Sequence, residues 1–294
     1  MIVPLTEHGK FARNCLKIRG GVRLFRQSAN KGVAAARNRG IAEAMGRYVF
    51  FMDNDDIILE NTLSTHFVYA EKYSADVVSS PGYYVSRSEN IPAEIEGEII
   101  PVVDVANVKD DAVIAPHDIR DRVRGWLNNE YDIACWNKLY RREFLLSHGI
   151  RYRQTAEDRC FAFECLLHAG TYVMIPFMGN VFRTLQESQS RSADRSIPRL
   201  EKCVKGLFSF ARDFQDAMAN LDFFADNPEY KGLVIAHQLN AVDMAGMSRF
   251  YGGNGVISRD VYLTVNKMLE EILGEDAYCI AFFFHRYHVL SASK

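Results

Sequence analysis

The sequence has no Cys-x-x-Cys pair, although it carries six cysteines, at positions 15, 135, 160, 165, 203 and 279. That spacing excludes zinc ribbons and thioredoxin-like redox sites. Scattered cysteines in a chain of 294 residues are expected to be reduced and buried rather than paired in a disulfide framework. No apolar run approaches the ~20 residues of a membrane-spanning helix. No basic stretch followed by an apolar core opens the chain, so no signal peptide is expected. An excess of one charge is missing as well: 35 Lys and Arg stand against 37 Asp and Glu, a net charge of −2, which gives nucleic acid nothing to bind. There is no internal repeat and no low-complexity segment. A glycine-rich phosphate loop with a lysine near the N-terminus is also lacking, which argues against a nucleotidyltransferase. A cytoplasmic location is expected, with contact at the inner membrane face as the furthest extension of it.

What is present is an ordinary globular composition, 48% hydrophobic and 24% charged, arranged around one stretch: Phe50-Phe51-Met52-Asp53-Asn54-Asp55-Asp56-Ile57-Ile58. Apolar residues run into a tight acidic cluster and then resume. This is the pattern of a buried strand that delivers carboxylates to the edge of a sheet, and in open α/β sheets ligands sit beyond the carboxyl ends of strands. Three carboxylates this close repel one another unless a cation lies among them. Oxygen ligands suit a hard divalent ion, Mg²⁺ or Mn²⁺, with substrate phosphates completing its shell. The bland alternative is a solvated acidic loop in which Asp56 caps the next helix.

The residues upstream favour the sharper reading. Val22 to Phe25 reads as a short strand and Asn30 to Gly32 as a turn. Val33 to Met45 is an alanine-rich helix stopped by Gly46, and Tyr48 to Met52 is the next strand. Such a unit aims a helix N-terminus, which attracts phosphate, and the acidic loop at one edge.

Across this unit stand Asn30, Gly32, Ala36, Arg37, Asn38, Gly40, Ile41, Ala44, Gly46, Tyr48, Phe51, Asp53, Asp55 and Asp56. In that order and spacing they resemble the nucleotide-sugar half of glycosyltransferase family 2, and so many matched positions are far more specific than a short motif alone. The resemblance implies a GT-A fold: an α/β domain with a mixed, mostly parallel sheet and flanking helices. It also implies a metal-dependent nucleotide-diphosphate-sugar donor. The chain opens like the family at Ile2-Val3-Pro4, with Thr6-Glu7 where the family has Tyr-Asn. It then passes from Leu16 to the Val22 strand without the family's second strand and Asp-Asp-Gly-Ser loop. The N-terminal part is thus shortened, and the family's contact to the nucleotide base is missing.

Further along, Asn61 to Tyr73 reads as a helix, Ala75 to Ser80 and Tyr83 to Arg87 as strands, and Glu89 to Asp118 as an excursion over the site. Ile119 to Asn129 reads as a helix. Trp136-Asn137-Lys138-Leu139-Tyr140-Arg141-Arg142, a short helix, Gly149-Ile150 and the pair Glu157-Asp158 are again similar to the family. Tyr172 to Pro176 and Asn180 to Arg183 read as strands, with Phe182, Arg183 and Ser190 matching the end of the family's catalytic domain. From Ile197 the pattern turns helical, over Arg199 to Leu221, Pro228 to Phe250 and Arg259 to Leu273, and the aromatic, basic stretch Tyr278 to Leu290 reads as a last core helix. Residues 1–195 are expected to form the catalytic domain and residues 196–294 a helical extension.

By resemblance, the activity is inverting transfer of a sugar, from a UDP-sugar by expectation, onto a glycan or lipid-linked hydroxyl. Asp158 is the general base; a carboxylate can take the hydroxyl proton as the new bond forms. Asn30, Arg37, Asp53, Lys138 and Arg183 form the donor-binding set, the planar guanidinium of Arg183 suiting a leaving diphosphate. Asp55, with Asp53 and Asp56, holds Mn²⁺ or Mg²⁺. Lys138 has an alternative as a surface charge, and Asp158 one as a carboxylate complementing the first turn of its helix. The products implied are cell-surface polysaccharide or lipid-linked glycan. Peripheral membrane contact and a homodimer through the C-terminal helices are the expected associations. The rival is a binding or scaffold protein that kept the fold after losing the base-binding segment.

Overall fold

The computed structural model describes residues 23–53, 55–86, 98–101, 112–153, 157–183 and 197–246. The expectations for residues 1–22, the helix over 259–273, the last helix and Ser190 lie outside these residues. By their contacts the residues divide into two units, one of Met1–Asp118 with Asn129–Gln186, the other of Ile119–Asn128 with Glu187–Lys294.

The first unit opens with helix α1 (Gly32–Glu43), then β1 (Tyr48–Phe50), β2 (Ile57–Ile58), α2 (Thr62–Tyr73), β3 (Val77–Ser79), β4 (Gly82–Ser86), β5 (Glu98–Pro101) and β6 (Val113–Ile114). Helix α3 (Ile119–Leu127) belongs to the second unit. The first unit resumes with β7 (Lys138–Arg141), α4 (Arg142–Ser147), α5 (Glu157–His168), β8 (Tyr172–Met174) and β9 (Asn180–Arg183). The strand expected at Val22 to Phe25 does not form over its described part. Side-chain contacts to α1 hold it instead: Arg23 donates to the Glu43 carbonyl, and the Arg23 and Arg39 guanidinium carbons lie 5.3 and 5.2 Å from the Phe25 ring centre.

Two sheets result. One has the order β1-β7-β3-β8-β6, the other β2-β9-β4-β5. Both are mixed, as the GT-A reading expects. The proportion differs from a mostly parallel sheet: among the described strands only β3–β8 and β4–β9 run parallel, and the other five pairings are antiparallel. The reason is β7. This strand enters between β1 and β3 antiparallel to both, with Leu139 opposite Phe50 on one side and Val78 on the other. Its sequence, Lys-Leu-Tyr-Arg, does not announce a central strand.

The alternation of β7 sorts its side chains to two faces. Leu139 joins Ala70 of α2, Ala75, Val78, Val173 and Ile175 in one core cluster. Tyr140 meets an aromatic group made by Phe51, Tyr152 and Phe161, with ring centres 5.6 Å from Phe51 and 5.3 Å from Phe161, while Tyr152 and Phe161 stack at 3.9 Å. Edge-to-face and offset ring contacts of this kind add to the burial they bring. Phe51 is therefore pinned from three sides, and Asp53 follows it two residues later.

The second unit is helical: α3, α6 (Ile197–Met218), α7 (Asp222–Asp226) and α8 (Pro228–Gly246). Helix α8 packs against the other three. Phe210, Phe214, Met218, Val234 and Ile235 form its buried part, and Arg120 of α3 donates to Asn227 at 3.0 Å. Helix α3, which sequence reading assigns to the first domain, groups with these helices. No helix among the described residues is long and apolar enough to cross a membrane. Cys135, Cys160 and Cys165 are buried.

Candidate active site

Helix α1 carries Arg37 and Asn38 side by side in the sequence, and each holds a distant piece of chain. Asn38 exchanges two 2.8 Å hydrogen bonds with the backbone of Tyr152, accepting from its N–H and donating to its carbonyl. This fastens the segment that leads into α5. Arg37 reaches the other way. Its Nη2 lies 2.8 Å from Asp53 Oδ1, at the end of the acid-tipped stretch, and its Nη1 pairs with Asp158 Oδ1 in the first turn of α5. The guanidinium carbon sits 5.1 Å from the Tyr152 ring centre, a cation–π contact that adds to its hold. The structure thus brings Arg37, Asp53 and Asp158 together, although 121 residues separate Arg37 from Asp158.

The electrostatics of this group are asymmetric. The Arg37 side chain is only 10% exposed, whereas Asp53 and Asp158 are each 35% exposed. Burial alone would lower the Arg37 pKa; its neighbours Cys135, Asp158, Tyr152 and Asp53 reverse this and raise it, so the guanidinium stays charged. Cys135 stands behind Asp158, with Sγ 3.1 Å from Oδ1. A cleft of about 480 Å³ opens beside the group, lined by Phe25, Ala36, Arg37, Gly40, Phe51 and Asp53 among others.

A second group forms two residues further along the acidic stretch. Asp56 is buried; its Oδ1 accepts the Arg183 backbone N–H at 3.1 Å, and its Oδ2 has no partner among the described residues. Asp55 is exposed, and its carbonyl accepts from Arg183 Nε. Arg183, at the end of β9, is therefore fastened to the acidic loop through both backbone and side chain. The Asp56 carboxyl is pushed up to about 7, first by burial and then by the charges of Asp55 and Asp53, against the opposing effect of Arg183.

An acid whose pKa rises on folding keeps a proton that the unfolded chain releases near 3.8. Stability therefore falls as pH climbs from about 4 to about 7, and the deficit is complete above that window. Asp56→Asn keeps an oxygen for the Arg183 N–H and removes the buried charge. It is expected to stabilise the protein by roughly 1–3 kcal/mol at about pH 8 and to change little at about pH 4. Thermal melts at the two pH values check this; an equal effect at both would remove the buried charge as its cause.

The orphaned Asp56 Oδ2 and the hard oxygen donors beside it fit a divalent cation of the Mg²⁺ type. Among the described residues no group of three or more His, Cys, Asp or Glu side chains converges on a metal position. Arg37 holds one oxygen of Asp53, Oδ1. Asp53 Oδ2, Asp55 and Asp56 are the protein oxygens that could serve such an ion, an incomplete shell of the kind that phosphate oxygens fill.

Two members of the expected donor set lie elsewhere. Asn30 is exposed and its Oδ1 accepts the Gly32 N–H at 3.0 Å, closing the turn before α1, where Gly32 takes φ +83°. Lys138 is neither a site wall nor a surface charge. It is wholly buried, with Nζ donating to Asp132 Oδ2 at 3.2 Å, to Asn137 Oδ1 at 3.0 Å and to the Ala134 carbonyl. Three ammonium protons with three protein acceptors leave none for a phosphate. Sequence reasoning gave no role to Asp132, the buried acid that makes this position possible, which stands just ahead of the family-like stretch.

Residues 9–149 match the family described as Glycosyl transferase family 2. The matched stretch is just under half of the chain. The chain is 28% identical over 185 residues to the cholesterol galactosyltransferase of Borreliella burgdorferi, a match covering 60% of this chain and 48% of that protein. It is 24% identical over 170 residues to the poly(ribitol-phosphate) beta-N-acetylglucosaminyltransferase TarP of Staphylococcus aureus, covering 56% of this chain and 46% of that protein. The chain thus spans about half the length of these curated relatives. In fold it is similar to S. aureus TarS 1-349, solved in complex with UDP-GlcNAc, with a TM-score of 0.59 at 16% identity over 91% of this chain and 69% of that one.

Proposed function

We propose that the chain transfers a sugar from a nucleotide-diphosphate donor, a UDP-sugar, to a glycan or lipid-linked hydroxyl with inversion at the anomeric carbon. The observation that carries this reading is the ion bridge from Asp53 through Arg37 to Asp158. It sets the acidic strand end, where a donor would lie, against the second acidic pair, where an acceptor would be deprotonated. In this reading Asp158 takes the acceptor proton as the hydroxyl oxygen attacks the anomeric carbon from the face opposite the leaving group. Asp53 and Arg37 shape the donor side of the cleft. Arg183, held at the acidic loop, contributes positive charge near the diphosphate. Asp55 and Asp56 would hold Mn²⁺ or Mg²⁺, which when bound supplies charge to stabilise the departing diphosphate. The family match over residues 9–149 and the UDP-GlcNAc bound by the structural neighbour support the donor class.

Titration calorimetry with UDP-sugars and Mn²⁺ tests the donor half of the proposal. Binding that requires both the nucleotide and the metal is expected. Absence of heat at millimolar UDP-sugar with Mn²⁺ would instead favour a binding or scaffold role for a chain without the family's Asp-Asp-Gly-Ser segment.

A further inference from the structure

Asp158 has two carboxylate oxygens, and the described residues hold only one of them. Arg37 Nη1 and the Cys135 thiol both approach Oδ1, the latter at 3.1 Å. No other hydrogen bond to this carboxylate occurs among the described residues, and the side chain keeps 35% of its surface. We infer that Cys135 and Arg37 form a two-donor clamp on Asp158 Oδ1 that fixes the carboxylate plane and presents Oδ2 as the proton-accepting oxygen. This rests on the reading of Asp158 as the base.

The clamp follows from where its parts come from. Cys135 is fully buried. Burial foremost, and then the neighbouring Asp158 carboxylate, push the thiol pKa well up, so the sulfur keeps its proton and acts as a donor. It sits three residues before Lys138, in the segment that the Asp132–Lys138 network ties down. Arg37 is fixed over Tyr152 and by its second bond to Asp53. One donor is therefore anchored by the sheet and the other by α1. A carboxylate gripped from both cannot rotate without losing a bond, and orientation of a base within a few tenths of an ångström is worth a large part of its rate. Cys135 is thereby a positioning residue. Arg37 has the same role and in addition links it to the donor-side carboxylate.

The test uses the full chain and UDP-GlcNAc with Mn²⁺, reading release of UDP to water. Cys135→Ala is expected to lower kcat about tenfold with the KM for UDP-GlcNAc within about twofold of wild type. Cys135→Ser supplies a hydroxyl donor at the same place and is expected to restore most of the loss. Arg37→Lys replaces the fork by a point charge that cannot span both acids, so kcat falls and KM rises together. Equal losses for the alanine and serine variants would overturn the clamp, since only the donor distinguishes them. Crystal structures of wild type and Cys135→Ala decide the matter independently of turnover. A rotated Asp158 carboxylate in the variant is expected, and an unmoved one overturns the inference. Should wild type release no UDP from UDP-GlcNAc, it is the choice of this donor that loses support, and the crystallographic comparison still decides the clamp.

Discussion

Asp158→Asn should abolish sugar transfer while leaving donor binding nearly intact. The amide keeps an oxygen where Arg37 and Cys135 now meet Oδ1, so the fold around α5 has no reason to change. What disappears is a basic oxygen at the Oδ2 position. Removing a positioned general base costs on the order of 10²–10⁴ in rate. Because Asp53 keeps its own bond to Arg37, the donor side is left standing. Kinetics with a UDP-sugar and acceptor, together with calorimetry for the donor alone, separate the two effects. Unchanged turnover would remove Asp158 from the mechanism, and a parallel loss of donor affinity would place it on the donor side.

Lys138→Met should destabilise the fold rather than weaken its hold on a donor. Lys138 and Asp132 have side chains only 1% exposed each, and the pair lies inside a network that also takes in Asn137 and the Ala134 N–H and carbonyl. Removing one partner leaves an uncompensated charge where water cannot reach it. Breaking buried pairs this way costs about 3–5 kcal/mol. In a unit of this size that lowers Tm by roughly 10 °C. The double variant Asp132→Leu with Lys138→Met removes both charges and should be more stable than the single one, because replacing a whole buried pair by apolar groups is often neutral. Thermal melts of the three proteins check the ordering. A Lys138→Met protein with wild-type Tm and lost UDP-sugar affinity would return Lys138 to the donor site.

The two predictions turn on residues that sequence reading singles out for the same reason, a place in a family-like motif, and that the structure sends to opposite fates. Asp158 opens a helix at a half-exposed position beside the cation of Arg37. Lys138 begins a strand and points inward. The sequence around Lys138 contains no sign of this, because a lysine is buried only where an acid is buried with it. That acid lies six residues away, in a segment with no regular period. The same omission hides β7 itself, a central strand written largely in polar and charged letters. Arg37 shows the complementary case. Its motif marks it as important, yet its partners are Asp53 and Asp158, of which only the first is near in sequence.

What the residues alone determined is local. The Ala-rich run made α1, the apolar run ending in acids made β1 and the loop after it, and the regular spacing after Ile197 made the helices, because these elements follow from nearest-neighbour sterics and hydrophobic period. The order of motifs also carried the resemblance to the family that residues 9–149 match. Folding decided everything that depends on distance through space: which acid meets the arginine, which of three clustered aspartates has its pKa pushed up, and which conspicuous cation disappears into the interior. Those outcomes follow from desolvation and Coulomb energy between groups far apart in the chain, and such energies exist only once the sheet has brought the groups together.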